Sequence, residues 1–240
     1  MKLDRRLVAL FAMLVLVMGT GALIAPAGDA PRSLALVASA AAQSPAAPAP
    51  AQGQDAGQDA GQDAVLAARL AERSIGRQDA PVTVIEYFSL TCGHCAAFHR
   101  DTLPRVKRDL VETGRLRIVY RDFPLDQTGL MAAMVARALP PERYEGFIST
   151  LFQMQDRWAF NRNSEPRREL ARLAAVAGMS QETFDATVTD QALGRAVLDV
   201  RLQGQSQHNV NSTPTFVFGS RVVPGNMPFD RFAQIVAETR

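Results

Sequence analysis

Residues 82–98 read Val-Thr-Val-Ile-Glu-Tyr-Phe-Ser-Leu-Thr-Cys-Gly-His-Cys-Ala-Ala-Phe and hold both cysteines of the chain. The β-branched and aromatic run from Val82 to Phe88 predicts a strand buried on both faces. After a short turn, apolar residues recur at helical spacing from Ala96 to Val111, which predicts a helix. Cys92 and Cys95 therefore lie where a strand passes into a helix, with Cys92 near the helix N-terminus.

The position of this cysteine pair favours ionisation of a thiol. Backbone N–H groups at a helix N-terminus have no partner within the helix, and the helix dipole is positive there, so an anion is stabilised. A thiolate is such an anion, and it is the reactive form of cysteine. We therefore interpret the Cys-Gly-His-Cys segment as a redox-active dithiol.

Other interpretations of the Cys-x-x-Cys spacing fit less well. A closed zinc site needs about four Cys or His ligands, whereas the chain has two cysteines and only the histidines His94, His99 and His208. Covalent haem attachment needs a histidine directly after the second cysteine, where this chain has Ala96. An inert structural disulfide would close too short a loop to restrict the unfolded chain by much.

A second motif lies far downstream, where residues 212–219 read Ser-Thr-Pro-Thr-Phe-Val-Phe-Gly. Together with the cysteine motif, it makes the chain from about residue 75 to 240 resemble the DsbA-like thiol–disulfide oxidoreductases of the thioredoxin superfamily. The resemblance implies an α/β thioredoxin fold, a mixed four-stranded sheet with an inserted helical domain at about 127–207. It also implies a cis Thr213–Pro214 peptide beside the disulfide, with backbone groups free to bind a substrate strand.

Each residue of the motif has an expected role. Cys92 is the outer sulfur that exchanges with substrate, and Cys95 resolves the mixed disulfide. The helix N-terminus, His94 and a neighbouring thiol should lower the pKa of Cys92. Glu86, buried in the strand below, should exchange a proton with Cys95. His99 shares a helix face with Cys95, and we expect it on the helix surface.

The first part of the chain predicts export. Basic residues precede an apolar run from Leu7 to Met18, so residues 1–42 are interpreted as a signal peptide, or as an uncleaved membrane anchor. Residues 43–64 are rich in Ala, Pro, Gln and Gly and lack large apolar groups, which predicts a disordered linker. Residues 65–240 then form one thioredoxin-like domain, located in the periplasm.

Charge excludes one class of partner. The chain carries a net charge of +2, and residues 1–42 account for all of it, with four basic and two acidic residues. The rest of the chain is neutral, so nothing indicates nucleic-acid binding. We expect no metal and no cofactor.

These patterns predict an oxidase that donates disulfide bonds to reduced exported proteins and is re-oxidised by a membrane redox partner. Two alternatives stay open at this point. One is a disulfide isomerase or reductase that a membrane partner keeps reduced. The other is a chaperone or metal-binding protein that uses the dithiol as a ligand.

Overall fold

The computed structural model describes residues 55–239. The predicted signal peptide or anchor at 1–42, and the linker up to residue 54, lie outside these residues. None of the helices between 55 and 239 is long and apolar enough to cross a membrane.

A mixed sheet forms the centre of the domain, with strand order β1-β3-β2-β4-β5. The prediction of four strands is wrong by one, because an additional short strand pairs antiparallel with β3 at the edge of the sheet. That strand has only three residues, too few to show a period-two pattern in the sequence. The α/β thioredoxin-like class is confirmed. The strands are β1 Arg73–Ile75, β2 Val82–Phe88, β3 Leu116–Asp122, β4 Thr215–Phe218 and β5 Arg221–Pro224.

Strand β2 lies in the middle of the sheet and carries the active-site motif at its end. It pairs parallel with β3 and antiparallel with β4. Glu86 stands opposite Tyr120 on one side and Phe216 on the other. The Glu86 carboxyl group is therefore held at the centre of the sheet, with β3 on one side and β4 on the other.

The helix that follows the motif is continuous from 93 to 111 but changes its winding. It consists of α2 Gly93–Ala97, a π-helical turn π1 Phe98–Thr102, α3 Leu103–Val106 and a second π-helical turn π2 Lys107–Val111. Pro104 is one cause of the first wide turn, because its ring nitrogen cannot donate to the carbonyl one turn back. The predicted helix is thus present, but it is not a regular α-helix.

A block of helices separates β3 from β4, as the predicted insertion requires. Aspartate side chains cap two of these helices, since Asp126 accepts from the Gly129 N–H and Asp190 from the Leu193 N–H. The helices are α4 Gln127–Ala138, α5 Pro141–Gln153, α6 Gln155–Trp158, α7 Pro166–Val176, α8 Gln181–Thr189 and α9 Gln191–His208; α10 Phe229–Glu238 ends the chain after β5.

The first described helix, α1 Asp55–Leu70, begins earlier than the sequence predicts. Residues 55–64, which the sequence assigns to a disordered linker, are therefore helical. The end of α1 is fixed by buried cations: Arg73 donates to the carbonyls of Ala68 and Ala71, and Arg137 donates to that of Ala71. These bonds satisfy carbonyls that a helix C-terminus leaves without partners.

Candidate active site

The two cysteines occupy the first turn of α2 in unequal positions. Cys92 is the N-cap residue, with extended backbone, and its Sγ accepts the Cys95 N–H at 3.4 Å. Cys92 is 8% exposed and Cys95 is 0% exposed. Both are free thiols in this structure. The outer sulfur is the more accessible one, as predicted, and the attacking role of Cys92 and the resolving role of Cys95 stay predictions.

Hydrogen bonds lower the pKa of Cys92 to about 5. The largest contribution is the hydrogen bond from the Cys95 thiol. Thr213 and the backbone N–H groups of Cys95 and His94 lower it further, whereas burial acts in the opposite direction. These hydrogen bonds stabilise the thiolate relative to the thiol, so Cys92 is ionised at neutral pH.

The pKa of Cys95 is raised well above its ordinary value. Burial is the largest cause, followed by the hydrogen bond that the thiol donates to Cys92 and the charge of the Cys92 thiolate. The Glu86 carboxylate also raises it. Two sulfurs three residues apart thus have opposite preferences, one for the thiolate and one for the thiol.

His94 lies between the cysteines but its side chain is exposed. It acts on Cys92 through its backbone N–H, and its imidazole is not among the causes of the lowered pKa. The prediction that the His94 side chain assists ionisation therefore finds no support in the geometry, whereas the contribution expected from the helix N-terminus and from the second thiol is present.

The peptide bond between Thr213 and Pro214 is cis, as predicted. This loop packs against the dithiol, since the Cys92 thiol lies 3.2 Å from the Thr213 carbonyl oxygen. The Pro214 carbonyl accepts the Gly225 N–H at 2.7 Å. The Pro214 carbonyl is therefore engaged within the protein, and pairing of this loop with a substrate strand remains a prediction.

Glu86 is fully buried, as predicted, but its partner was not foreseen. Its Oε1 lies 2.9 Å from Nε2 of His99, and the two side chains are 0% and 2% exposed. The expectation that His99 lies on the helix surface is wrong. The face of the helix that carries Cys95 and His99 is turned onto the sheet, and the first π-helical turn includes His99.

Further polar side chains that the sequence analysis missed hold the loop before the cysteines. The amide of Gln155, 3% exposed, donates to the carbonyls of Leu90 and Cys92 at 2.8 and 3.1 Å. The Thr91 hydroxyl donates to Asp126 at 2.8 Å. Because Gln155 and Asp126 come from the inserted helices, only the tertiary fold could reveal them.

No group of three or more His, Cys, Asp or Glu residues suited to a metal ion occurs within residues 55–239. His208, to which no role was assigned, lies in the last turn of α9, with its ring centroid 5.9 Å from that of Tyr87. It contacts none of the site residues described above.

The chain is similar in sequence to proteins of the thioredoxin family. The family model described as Thioredoxin matches residues 69–238. A Rickettsia typhi protein whose name assigns it to the protein-disulfide oxidoreductases is 27% identical over 68% of this chain, but the match covers 59% of that protein. The chain thus spans about three fifths of this relative's length. Disulfide bond formation protein D of Bacillus subtilis is 21% identical, over 68% of this chain and 74% of its own length.

Solved structures give the same result for the fold. The crystal structure of alpha-DsbA1 from Wolbachia pipientis matches with a TM-score of 0.65 and 26% identity, covering 71% of this chain and 91% of that one. The oxidised structure of BdbD from Bacillus subtilis matches with a TM-score of 0.62 at 19% identity, covering 70% and 92%, and so supports the fold alone.

Proposed function

Because this chain belongs to the thioredoxin family and has the fold of its DsbA-like members, we propose that it is a protein thiol–disulfide oxidoreductase that donates disulfide bonds to exported proteins. The observation that carries this proposal is the opposite displacement of the two cysteine pKa values. Cys92 is shifted to about 5 and Cys95 well above its ordinary value.

The low pKa of Cys92 supports the oxidising direction. A hydrogen-bonded thiolate exists only in the reduced protein, so every donor that lowers the pKa of Cys92 stabilises the reduced form relative to the disulfide. A disulfide whose reduced form is stabilised is readily reduced by a client and therefore acts as an oxidant. Cys92 is also the better leaving group when the mixed disulfide is resolved.

The reaction balances as two exchanges. A client thiolate attacks Cys92 Sγ, which breaks the Cys92–Cys95 bond, forms a mixed disulfide and releases Cys95 as a thiolate that takes up a proton. A second client thiolate attacks the client sulfur of the mixed disulfide and releases Cys92 as a stable thiolate. The client is oxidised by two electrons, and the protein dithiol is reduced by the same two.

The place of action and the partners belong to this proposal. The basic and apolar N-terminal segment supports export to the periplasm, either free after signal cleavage or tethered by an uncleaved anchor. A membrane redox partner would accept the two electrons and restore the disulfide. The names of the Rickettsia and Bacillus relatives support the redox class of the activity.

The test is oxidative refolding of a reduced, unfolded client that needs disulfides for activity. Oxidised protein in stoichiometric amounts should restore client activity, and Cys92→Ser should abolish the effect. The redox state in cells, trapped in acid and read by thiol alkylation, should be mostly oxidised. A mostly reduced state would favour the isomerase or reductase alternative, and stoichiometric zinc or copper on the reduced protein would favour the metal-binding one.

A further inference from the structure

The Glu86–His99 pair is a buried polar site that the exchange reaction does not by itself require. Glu86 comes from the centre of β2 and His99 from the first π-helical turn, and their Oε1 and Nε2 atoms lie 2.9 Å apart. Both belong to the core of the domain. The second polar atom of each, Glu86 Oε2 and His99 Nδ1, is buried and has no hydrogen-bond partner in the part of the chain that the structure describes.

Aromatic rings pack around the imidazole, and His99 also lines a cavity together with Lys107 and Glu145, which are ion-paired at 2.8 Å. The imidazole centroid of His99 lies 4.1 Å from the ring of Phe152 and 5.8–6.2 Å from the rings of Phe88, Phe98 and Tyr120. A carboxylate in such surroundings is costly unless a donor is hydrogen-bonded to it. His99 is the only side chain within hydrogen-bonding distance of Glu86 among residues 55–239.

Cys95 needs a proton acceptor inside the protein when the disulfide forms. Its sulfur is fully buried and its thiol form is strongly favoured, so a proton must leave before Cys95 can attack Cys92. Cys95 lies one helical turn before His99, which is hydrogen-bonded to Glu86, and the Glu86 carboxylate raises the pKa of Cys95, so the carboxyl group lies near that sulfur. Oε2 of Glu86, free of hydrogen bonds to described residues, is available to accept this proton.

The other titratable groups around the pair do not compete for this proton. Tyr120 faces it from β3 and Tyr144 lies beyond on α5, and burial raises the pKa of both hydroxyls far above neutrality. The charge of Glu145 also raises the pKa of Tyr120. The buried Asp122 carboxylate, 3.5 Å from the Tyr144 hydroxyl, is paired with Arg137 at 2.6 Å.

We infer that His99 is a positioning residue for the proton transfer of the inner cysteine: by donating its Nε2–H to Oε1, it holds the Glu86 carboxylate in the core in the position from which Oε2 accepts the Cys95 proton. The proton moves from Cys95 Sγ to Glu86, the Cys95 thiolate attacks Cys92 Sγ, and the bond from Cys92 to the client sulfur breaks. In the opposite direction, protonated Glu86 returns the proton to the departing Cys95 thiolate.

This inference rests on the proposed function, but its test needs no protein client. Cys92 is converted to a mixed disulfide with thionitrobenzoate, and stopped-flow absorbance follows the coloured thiolate that Cys95 releases when it attacks. His99→Phe fits the aromatic surroundings and removes the donor, and we expect release to be about ten-fold slower or more near pH 7. His99→Gln keeps an N–H donor and should restore the rate to within about three-fold of the parent.

The pH profile separates this role from a structural one. The difference in release rate between His99→Phe and the parent should narrow as pH rises, because hydroxide then removes the Cys95 proton directly. A general loosening of the site would slow release by a similar factor at every pH. His208→Gln, a histidine change outside the site, serves as the matched control and should leave the rate unchanged.

Coupling to Glu86 completes the test, and His99→Leu, which also lacks the donor, replaces His99→Phe if that variant fails to fold. Glu86→Gln should slow release as much as His99→Phe, and the double variant should be no slower than either, because the two residues act as a unit. Three results would overturn the inference. The first is a release rate of His99→Phe or Glu86→Gln within about two-fold of the parent at pH 7. The others are multiplicative effects in the double variant and no rescue by His99→Gln. Failure of oxidative refolding with normal release kinetics would instead contradict the proposed function alone.

Discussion

The surroundings of Cys92 and of Cys95 differ in what they offer a sulfur atom. Around Cys92 the donors are the Cys95 thiol and two backbone N–H groups, and the Thr213 carbonyl oxygen lies 3.2 Å from the sulfur as an acceptor. Around Cys95 there are burial and negative charge, from the Cys92 thiolate and from Glu86. The same residue type therefore becomes a stable anion at one end of a helical turn and a stable thiol at the other. The two cysteines are identical side chains, but one environment stabilises the thiolate and the other stabilises the thiol.

Removing the inner sulfur should have the largest effect, because Cys95 both resolves the mixed disulfide and donates to Cys92. We expect Cys95→Ala to lower catalytic turnover by more than about a hundred-fold, while client mixed disulfides accumulate on Cys92. The lost hydrogen bond to a charged acceptor should also raise the pKa of Cys92 by about 1–2 units. Gel analysis without reductant and alkylation rates measure both effects, and an unchanged Cys92 pKa would show that the helix terminus alone sets it.

The outer sulfur should also make the reduced protein more stable than the oxidised one. The pKa of Cys92 is lower in the folded than in the unfolded state, so its contribution is present above the unfolded value and is lost as pH falls through about 5. At pH 7 we expect about 2–3 kcal/mol in favour of the reduced protein. Urea unfolding of both redox forms from pH 4 to pH 8 measures the difference, and a difference independent of pH would contradict it.

The loop that presents the outer sulfur depends on Gln155. Gln155→Ala leaves the buried carbonyls of Leu90 and Cys92 without their donor, which should cost about 1–2 kcal/mol of unfolding free energy. Gln153, exposed in the neighbouring helix α5, provides the matched control, since its amide bonds only to Ser149 on the surface. Equal loss of stability in Gln155→Ala and Gln153→Ala would show that the two hydrogen bonds contribute little.

Thr213 should have the smallest effect. Thr213→Val preserves shape and removes a buried hydroxyl that has no hydrogen-bond partner among the described residues, so the pKa of Cys92 should rise by less than about one unit, and less than in Cys95→Ala. Alkylation rates across pH measure the change in the same assay. A larger rise in Thr213→Val than in Cys95→Ala would reverse the order of contributions derived from the structure.

The surroundings of Cys92 could be predicted from sequence, whereas those of Cys95 could not. The β2–turn–helix order and the helix N-terminus follow from local patterns around Cys92, and a short motif resemblance predicted the cis bond before Pro214. The environment of Cys95 depends on which helix face packs on the sheet. For His99 the pattern predicted the helix surface, and this was wrong because that helix face packs against Phe152.

Other missed features share a long-range cause. Gln155 and Asp126 reach the active-site loop from helices far along the chain, and nothing in their local sequence distinguishes them from surface residues. The start of α1 could not be predicted because residues 55–64 have few large apolar side chains. The end of α1 is fixed by the side chains of Arg73 and Arg137. Such contacts are set by the packing of the inserted helices, which local periodicity does not encode.

The most direct measurement is the rate of alkylation of Cys92 by iodoacetamide across pH in the fully reduced protein. Cys95 is fully buried, so the fast phase reports the outer thiol, and Cys95→Ala confirms its assignment. The structure predicts a rate that rises with a midpoint near pH 5 and stays constant above about pH 7. A rate that begins to rise only near pH 8, as for an ordinary thiol, would contradict the unequal pair of sulfurs on which the proposed oxidase depends.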